Sequence, residues 1–237
     1  MLVNENSVID GNEAIVLKHN LPGVTIRYTT DGSVPDSNGA EAYKKPITIN
    51  NYSVIRARAT KGGWYSSEVM DFVFFKKGFQ PATTELINKG EEFYAGNGAS
   101  TLIDGKKGDI NNLRDLAWLG YRAKPFAAYF SFENPAPQVT SITLSYGKNI
   151  SAYVMPPYKV EVWGGNDKNK LEQLVTVSPQ QPSGLSDPNM ISGMNLVFAP
   201  ADFKFYKVVA IPVPKLPSWH PGKGEKGWVF VDEVFFN

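Results

Sequence analysis

Residues 216–236 read LPSWHPGKGEKGWVFVDEVFF, a proline- and glycine-rich loop that leads into a strand. The loop, 216–227, contains two prolines and three glycines, which favour turns. The strand, 228–236, is rich in β-branched and aromatic residues. Strict alternation would put Asp232 on one face of this strand and Glu233 on the other, each in a mostly apolar row. Because a carboxylate in an apolar row needs a cation or a hydrogen-bond donor, we expect each acid to have such a partner.

The composition describes a chain that can bury a large core and that gives no sign of a strongly charged partner. Its 237 residues are 42% hydrophobic and 13% aromatic, which is enough for one large or two medium domains. A net charge of +1 provides no electrostatic reason to expect binding to nucleic acid or to an anionic membrane. Cysteine is absent, so disulfides are excluded.

The sequence contains no membrane span and no obvious leader. No apolar run reaches the roughly 18 residues of a transmembrane helix. The first eleven residues, MLVNENSVIDG, are too polar for a signal peptide. We therefore expect either a cytosolic protein or a piece of a larger one.

Short alternating segments separated by turn signals run through the first 78 residues. The stretch DGSVPD at 31–36 is a strong turn signal. Several short strands at this spacing predict an all-β fold, here a small antiparallel sandwich. The predicted strands are 24–29, 45–49, 53–59 and 68–75.

One motif in this region is specific enough to indicate a family. IRYTTDGSVP at 26–35, followed by YKKPITI at 43–49 and IRARA at 55–59, resembles the immunoglobulin/fibronectin III-like module at the C-terminus of chitobiases and β-hexosaminidases. The resemblance implies that residues 1–78 form a spacer domain without catalysis. The aromatic pair at 64 and 65 could be a sugar platform, but a Gly-Gly turn precedes it, so we expect both rings to pack at a hairpin.

A second β domain is predicted for residues 79–237. The boundary lies in FKKGFQPATT at 75–84, where alternation stops and glycine and proline appear. Seven or eight antiparallel strands in about 150 residues predict a two-sheet jelly roll. The predicted strands are 127–132, 139–146, 158–163, 174–177, 194–198, 205–211 and 228–236.

Several ordered segments of this domain also resemble a known family. LIDGKKG at 102–108, RDLAWLGY at 114–121, 139–144, PYKVEVWGGND at 157–167 and WHPGKGEKGWVFVDEV at 219–234 are together similar to the discoidin-type domain (coagulation factor 5/8 type C, carbohydrate-binding family 32). They are most similar to the version appended to family 20 β-hexosaminidases of gut-type Bacteroidetes, Bacteroides among them. The resemblance implies a discoidin-like jelly-roll β-sandwich and, with the first module, the C-terminal accessory part of a chitobiase.

The loop that begins at residue 102 contains candidate metal ligands. From the residues alone, an Asp-Gly turn with further oxygen side chains suits a hard cation such as calcium, and it equally suits an ordinary turn. The discoidin-type resemblance implies a structural calcium between this first loop and the last strand. It assigns Asp104 and Glu233 as ligands, and Asp109 is a further candidate.

The same resemblance implies a glycan ligand held by loops at one end of the barrel. We expect Trp219 to stack on the sugar and His220 to donate a hydrogen bond, with Arg114 and Tyr153 as further candidates. Aromatic faces suit the apolar side of a pyranose, while His and Arg side chains reach hydroxyls or an acetamide. The alternative for Trp219 is a residue folded under its own loop.

Catalysis is not expected. Family 20 enzymes use an adjacent Asp and Glu, but those lie in a (β/α)₈ barrel of about 250 residues, for which this chain has no βα repeats and no room. Motifs for a serine or cysteine nucleophile, a P-loop and a zinc protease are absent from the sequence.

The sequence therefore predicts a non-catalytic carbohydrate-binding module with a spacer. We expect it to belong to a secreted, periplasmic or surface glycoside hydrolase with an upstream catalytic domain. We also expect it to be a monomer that targets glycans ending in N-acetylhexosamine or galactose-type sugars. The alternative is a structural module that braces a catalytic domain or docks a surface partner, because discoidin domains do both.

Overall fold

The computed structural model describes residues 4, 6–11, 13–36 and 40–237, which form an all-β protein. The chain separates into two compact units, Met1–Gly78 and Phe79–Asn237. Regular structure outside the strands is limited, within the described ranges, to the three 3-10 helices Glu92–Tyr94, Gly98–Leu102 and Ile150–Ala152. A search of the same ranges finds no helix with the length and apolar character that crossing a membrane requires.

The N-terminal unit is built on one five-stranded sheet with the strand order β1-β5-β4-β2-β3. The outer pair of β1 and β5 is parallel and the other pairs are antiparallel. In β4 the buried residues Ser53, Ile55 and Ala57 alternate with partly exposed ones, as the sequence pattern predicts. The strands are β1 Val8–Ile9, β2 Thr25–Thr29, β3 Glu41–Ala42, β4 Tyr52–Thr60 and β5 Met70–Lys76.

The layer facing this sheet is thin. The predicted strand at 45–49 is wrong in extent: it is reduced to a bridge in which Ile15 and Ile47 exchange two backbone hydrogen bonds of 2.7 and 2.9 Å. Both isoleucines are buried against Ile55 and Phe74 of the sheet. Pro46 has no backbone N–H, so it cannot donate a hydrogen bond to a neighbouring strand. This accounts for the short pairing around Ile47.

The aromatic pair at the β4–β5 turn lies outside the core. Trp64 is 66% exposed and Tyr65 is fully exposed, so the expected packing at the hairpin is wrong. The turn is closed by the Trp64 N–H, which donates to the carbonyl of Lys61 at 3.0 Å, and Gly63 adopts a φ of +77°.

The C-terminal unit is a two-sheet sandwich. One sheet has five strands in the order β11-β10-β13-β8-β6, and the other has four in the order β12-β9-β14-β7. Every pairing in both sheets is antiparallel. The strands are β6 Thr83–Leu86, β7 Leu119–Tyr121, β8 Phe126–Ser131, β9 Val139–Lys148, β10 Lys159–Gly165, β11 Glu172–Val177, β12 Met190–Ala201, β13 Phe205–Ile211 and β14 Val229–Phe236.

The core of this unit lies between the two sheets. Inward residues of β8, β10 and β13 meet inward residues of β9, β12 and β14, with Phe236 contacting the rings of Phe130, Phe132 and Tyr206. Burying each such side chain contributes roughly 1.5–3 kcal/mol before conformational entropy is counted. The seven strands predicted for this unit are confirmed as β8–β14, and the all-β class is confirmed with them.

The last strand, β14, departs from strict alternation at its two acids. The register against β9 shifts between Val231 and Glu233, which is a β-bulge. Val231 and Val234 both belong to the intersheet core, so the two residues between them both point away from it. The prediction that Asp232 and Glu233 face opposite ways is therefore wrong: the bulge directs both toward the loop that begins at residue 102.

Candidate functional site

The loop 216–227 is a closed structure rather than an open flap. The Leu216 N–H donates to the carbonyl of Glu225 at 2.7 Å, and the Gly224 N–H donates back to the carbonyl of Leu216 at 3.1 Å. The base of the loop is fastened by the Gly227 N–H, which donates to the carbonyl of Val213 at 2.9 Å. The chain between these bonds is a series of turns, as its proline and glycine content predicts.

His220 is part of the framework of this loop. Its side chain is only 3% exposed. Nε2 lies 2.8 Å from the carbonyl of Ile150, and Nδ1 accepts a hydrogen bond from the Gly222 N–H at 2.9 Å. With both ring nitrogens engaged, His220 has no donor to offer a ligand, so the expected sugar contact of His220 does not agree with the structure.

Tyr153 adopts a backbone conformation that non-glycine residues rarely use. It follows the 3-10 helix Ile150–Ala152 with a φ of 66°, and it is the single non-glycine residue with positive φ in the described part of the chain. Such a conformation costs of order 1–3 kcal/mol and tends to occur at functional positions. The Tyr153 carbonyl accepts from the Trp228 N–H at 2.8 Å, and its ring is 4.8 Å from that of His220.

Trp219 is partly exposed and partly packed. Its indole contacts a small cluster that includes Met155, Val213 and Leu216, and its ring centroid is 5.7 Å from that of His220. Trp219 is thus half-buried: it packs against this cluster and keeps part of its surface exposed to solvent. Tyr153 packs against the same cluster, so the structure brings together three of the four predicted ligand residues.

Arg122 lies beside Tyr153 and Trp228, and the sequence analysis did not identify it. Its guanidinium lies 5.7 Å from the ring centroid of Trp228 and 6.0 Å from that of Tyr153. It donates to the Lys226 carbonyl at 3.0 Å and to Glu225 Oε2 at 2.7 Å. The side chains of Arg122 and Glu225 are 31% and 55% exposed, so this fixed ion pair faces solvent beside the rings.

Arg114, the fourth predicted residue, has different neighbours. Its guanidinium lies 5.6 Å from the ring centroid of Phe93. Phe93 is 66% exposed and Leu116 is 62% exposed. The next residue after Phe93, Tyr94, turns the other way and packs on Trp228 with ring centroids 5.0 Å apart. The contacts of Arg114 in the described structure therefore define a second exposed surface.

The two acids of β14 form a buried cluster with the loop at residue 102. Lys107 Nζ lies 2.8 Å from Asp232 Oδ2 and donates to the Ser145 hydroxyl. Asp232 Oδ2 also accepts from the Gly108 N–H at 3.1 Å. Glu233 Oε1 accepts from the Gly105 N–H at 2.5 Å. Both acids are at most 1% exposed.

Burial and mutual charge govern the protonation of this cluster. Burial chiefly raises the pKa of Glu233 to about 9, the Asp232 charge and a hydrogen bond with Asp104 add to the rise, and Lys107 and the Gly105 N–H oppose it. Burial lowers the pKa of Lys107, whereas the charges of Asp232, Glu233 and Asp104 raise it. Burial therefore favours the neutral form of Glu233.

Of the predicted calcium ligands, Asp104 and Glu233 lie together, whereas Asp109 has other partners. Asp109 Oδ1 accepts from the Asn111 N–H at 2.9 Å and Asp104 Oδ1 accepts from the Lys106 N–H at 2.9 Å, so each closes its own turn. Within the described ranges, no cluster of three or more His, Cys, Asp or Glu side chains is arranged to hold a metal ion. A structural calcium remains a hypothesis from the resemblance.

Comparisons with solved structures return β-sandwich modules at low identity. A CBM32 module from Clostridium perfringens in complex with GalNAc-β-1,3-galactose is 15% identical, covering 65% of this chain and 93% of that one, with a TM-score of 0.41. The C-terminal domain of a chitobiase from Bacteroides fragilis is also 15% identical, covering 67% and 95%, with a TM-score of 0.41. A SusE-like protein is 14% identical, covering 90% and 87%, again with a TM-score of 0.41.

Comparisons of the sequence add one family to these structures. None of the curated proteins compared with the chain matches it. Residues 5–71, which make up most of the N-terminal unit, match the family model of the chitobiase/beta-hexosaminidase C-terminal domain.

Proposed function

We propose that the chain is a non-catalytic carbohydrate-binding accessory module of a glycoside hydrolase. Residues 1–78 serve as the spacer, and the family match over residues 5–71 supports this assignment. Residues 79–237 form a discoidin-type domain that holds the glycan. The parent enzyme is a secreted, periplasmic or surface β-N-acetylhexosaminidase with its catalytic domain upstream, and the module acts as a monomer.

The proposal for the C-terminal unit depends on one observation, the surface on which Tyr153 and Trp228 flank Arg122 while Trp219 packs on the same cluster as Tyr153. All three rings are partly exposed. Ring faces match the C–H side of a pyranose, and burying them on a sugar releases water from apolar surface. The Arg122–Glu225 pair supplies a fixed donor and a fixed acceptor beside the rings, which is what neighbouring hydroxyls require.

Terminal N-acetylhexosamine or galactose-type sugars are the ligands that the family resemblance implies, and the chemistry of this surface is compatible with them. The Arg122 guanidinium can donate to the acetamide carbonyl or to a ring hydroxyl, and Glu225 can accept from a hydroxyl. A single sugar buries little surface and exchanges water hydrogen bonds for protein ones, so the expected affinity is weak.

The direct test is binding of the full chain to immobilised glycans ending in N-acetylglucosamine, N-acetylgalactosamine or galactose. Trp219→Ala and Arg122→Ala should each reduce binding by roughly tenfold or more, which corresponds to about 1.4 kcal/mol. Trp64→Ala and Arg114→Ala are matched controls, since each removes an exposed residue of the same type elsewhere. Wild-type binding by the first pair of variants, or no glycan bound at all, would contradict the proposal.

A docking or bracing role is the second candidate, and the exposed contact between Arg114 and Phe93 favours it. Exposed aromatic and Arg side chains are enriched at protein interfaces. If this surface braces a catalytic domain, Phe93→Asp should lower the thermal stability of the full-length enzyme while leaving glycan binding intact. An unchanged melting temperature in the full-length enzyme would count against the bracing role.

A further inference from the structure

The junction between the loop at residue 102 and the last strand already contains a cation of its own. The side chain of Lys107 is 13% exposed, and its ammonium lies 2.8 Å from Asp232 Oδ2. It also donates to the Ser145 hydroxyl, and it lies 5.8 Å from the ring centroid of Phe235. An ammonium with a carboxylate, a hydroxyl and an aromatic face around it is a well-partnered buried charge.

The remaining acids of the junction are occupied by donors from the same loop. Glu233 accepts from the Gly105 N–H, Asp104 accepts from the Lys106 N–H, and these two acids share a hydrogen bond. Donors from residues 105, 106 and 107 thus each meet one carboxyl group, on Glu233, Asp104 and Asp232 in turn. Two of these contacts, from Gly105 and Lys107, tie the loop to the strand.

One oxygen, Asp232 Oδ1, is buried and has no hydrogen-bond partner among the described residues. It is a single ligand atom, and calcium takes about six to eight oxygens. A divalent ion at this oxygen would lie close to the Lys107 ammonium, which already holds the other oxygen of the same carboxylate. Repulsion between the two positive charges opposes joint occupancy. The residues present therefore do not fit a divalent cation.

We propose that the Lys107 ammonium takes the place of a metal ion at this junction, so that the C-terminal unit folds and stays folded without a divalent cation. The ammonium is carried by the chain itself, so its attachment of the loop to β14 does not depend on the calcium concentration. The Gly108 N–H, which follows directly and donates to the same Asp232 oxygen, completes the attachment.

The test is the thermal stability and the metal content of the full chain. In a Trp64→Phe background the remaining tryptophans, Trp118, Trp163, Trp219 and Trp228, all lie in the C-terminal unit, so fluorescence reports its melting. The expected result is an equal melting temperature in excess EDTA and in millimolar calcium chloride, to within about 1 °C. A bound calcium at a hundredfold excess over its Kd would raise the melting temperature by roughly 5–10 °C.

Two substitutions of Lys107 complete the test, with Lys106→Met as the control at an exposed neighbouring lysine. Lys107→Met should lower the melting temperature by roughly 10 °C, because it leaves Asp232 buried without its cation, while Lys106→Met should change little. Lys107→Asn removes the ammonium and adds an oxygen, so its melting temperature should rise when calcium is added.

Two results would overturn the inference. One is stoichiometric calcium in the purified wild-type chain, measured by elemental mass spectrometry, together with a melting temperature that falls in EDTA. The other is a Lys107→Asn chain whose melting temperature does not respond to calcium. The first result decides the question even if the Lys107 variants do not fold.

Discussion

Tyr153 lies directly against Gly222: a β-carbon at position 222 would lie 2.0 Å from Cε1 of the tyrosine ring. No side chain fits in that distance, so the close approach requires glycine at 222. The Gly222 N–H also donates to His220 Nδ1, and the His220 ring in turn contacts Tyr153. One glycine therefore fixes the position of a ring that forms part of the proposed sugar surface.

Gly222→Ala should move the Tyr153 ring and weaken glycan binding. The added methyl displaces the ring from its place beside Arg122, so binding to the immobilised glycans should fall by roughly tenfold or more. Overpacking should also lower the free energy of unfolding by about 1–3 kcal/mol. Gly184→Ala is the matched control, because its β-carbon would approach nothing closer than 3.9 Å. Unaltered binding by Gly222→Ala would show that Tyr153 takes no part in the site.

The substitution His220→Ala tests whether His220 stabilises its loop or contacts the glycan. The substitution leaves the buried Ile150 carbonyl and the Gly222 N–H without their partners, which should lower the free energy of unfolding by about 1–3 kcal/mol. His19→Ala is the control, since His19 accepts one local bond from Leu21. Urea unfolding followed by tryptophan fluorescence measures the difference. If His220→Ala lost glycan binding with its stability unchanged, the sequence-based role as a sugar donor would be correct.

Arg122→Lys tests whether the planar guanidinium is needed. Lysine keeps the charge beside Glu225 but loses the fork that donates to Glu225 and to the Lys226 carbonyl together. Without that second bond the side chain is no longer fixed between the Tyr153 and Trp228 rings. We expect glycan binding to fall by roughly tenfold while the melting temperature changes by only a few degrees. Full retention of binding would mean that charge alone is sufficient at this position.

The strands of the C-terminal unit could be predicted because alternation is a local signal. β10 shows this well: Val160 and Val162 are buried and Lys159 and Glu161 are not. β7, with only three residues, is too short to show a period, and it escaped prediction. The bulge in β14 could not be predicted from the alternation of residues either, because alternation assumes that each residue has one partner on the next strand.

The candidate site was predicted only where resemblance to a family names its residues. Trp219 and Tyr153 came from that resemblance, and the structure brings them together. The Arg122–Glu225 pair spans 103 positions in the sequence, and no local spacing relates the two residues. The sequence analysis assigned no role to Lys107, whose length lets its ammonium reach Asp232.

Gly108→Ala should destabilise the C-terminal unit through Trp118. A β-carbon at 108 would lie 2.2 Å from Cε2 of the indole, which is fully buried and whose Nε1 donates to the Asp109 carbonyl at 2.9 Å. Because the loop is also fixed through Lys107 and Asp232, neither side can retreat, and we expect the free energy of unfolding to fall by about 3 kcal/mol.

Gly105→Ala is the comparison for this prediction, because it lies in the same loop with open space around its β-carbon and a φ of +75°. We expect Gly105→Ala to lower the free energy of unfolding by about 1 kcal/mol, through backbone strain alone. Urea unfolding of both variants measures the two costs side by side. Equal costs would mean that the loop moves freely away from Trp118, and that it is not held to β14 as the Lys107 contacts require.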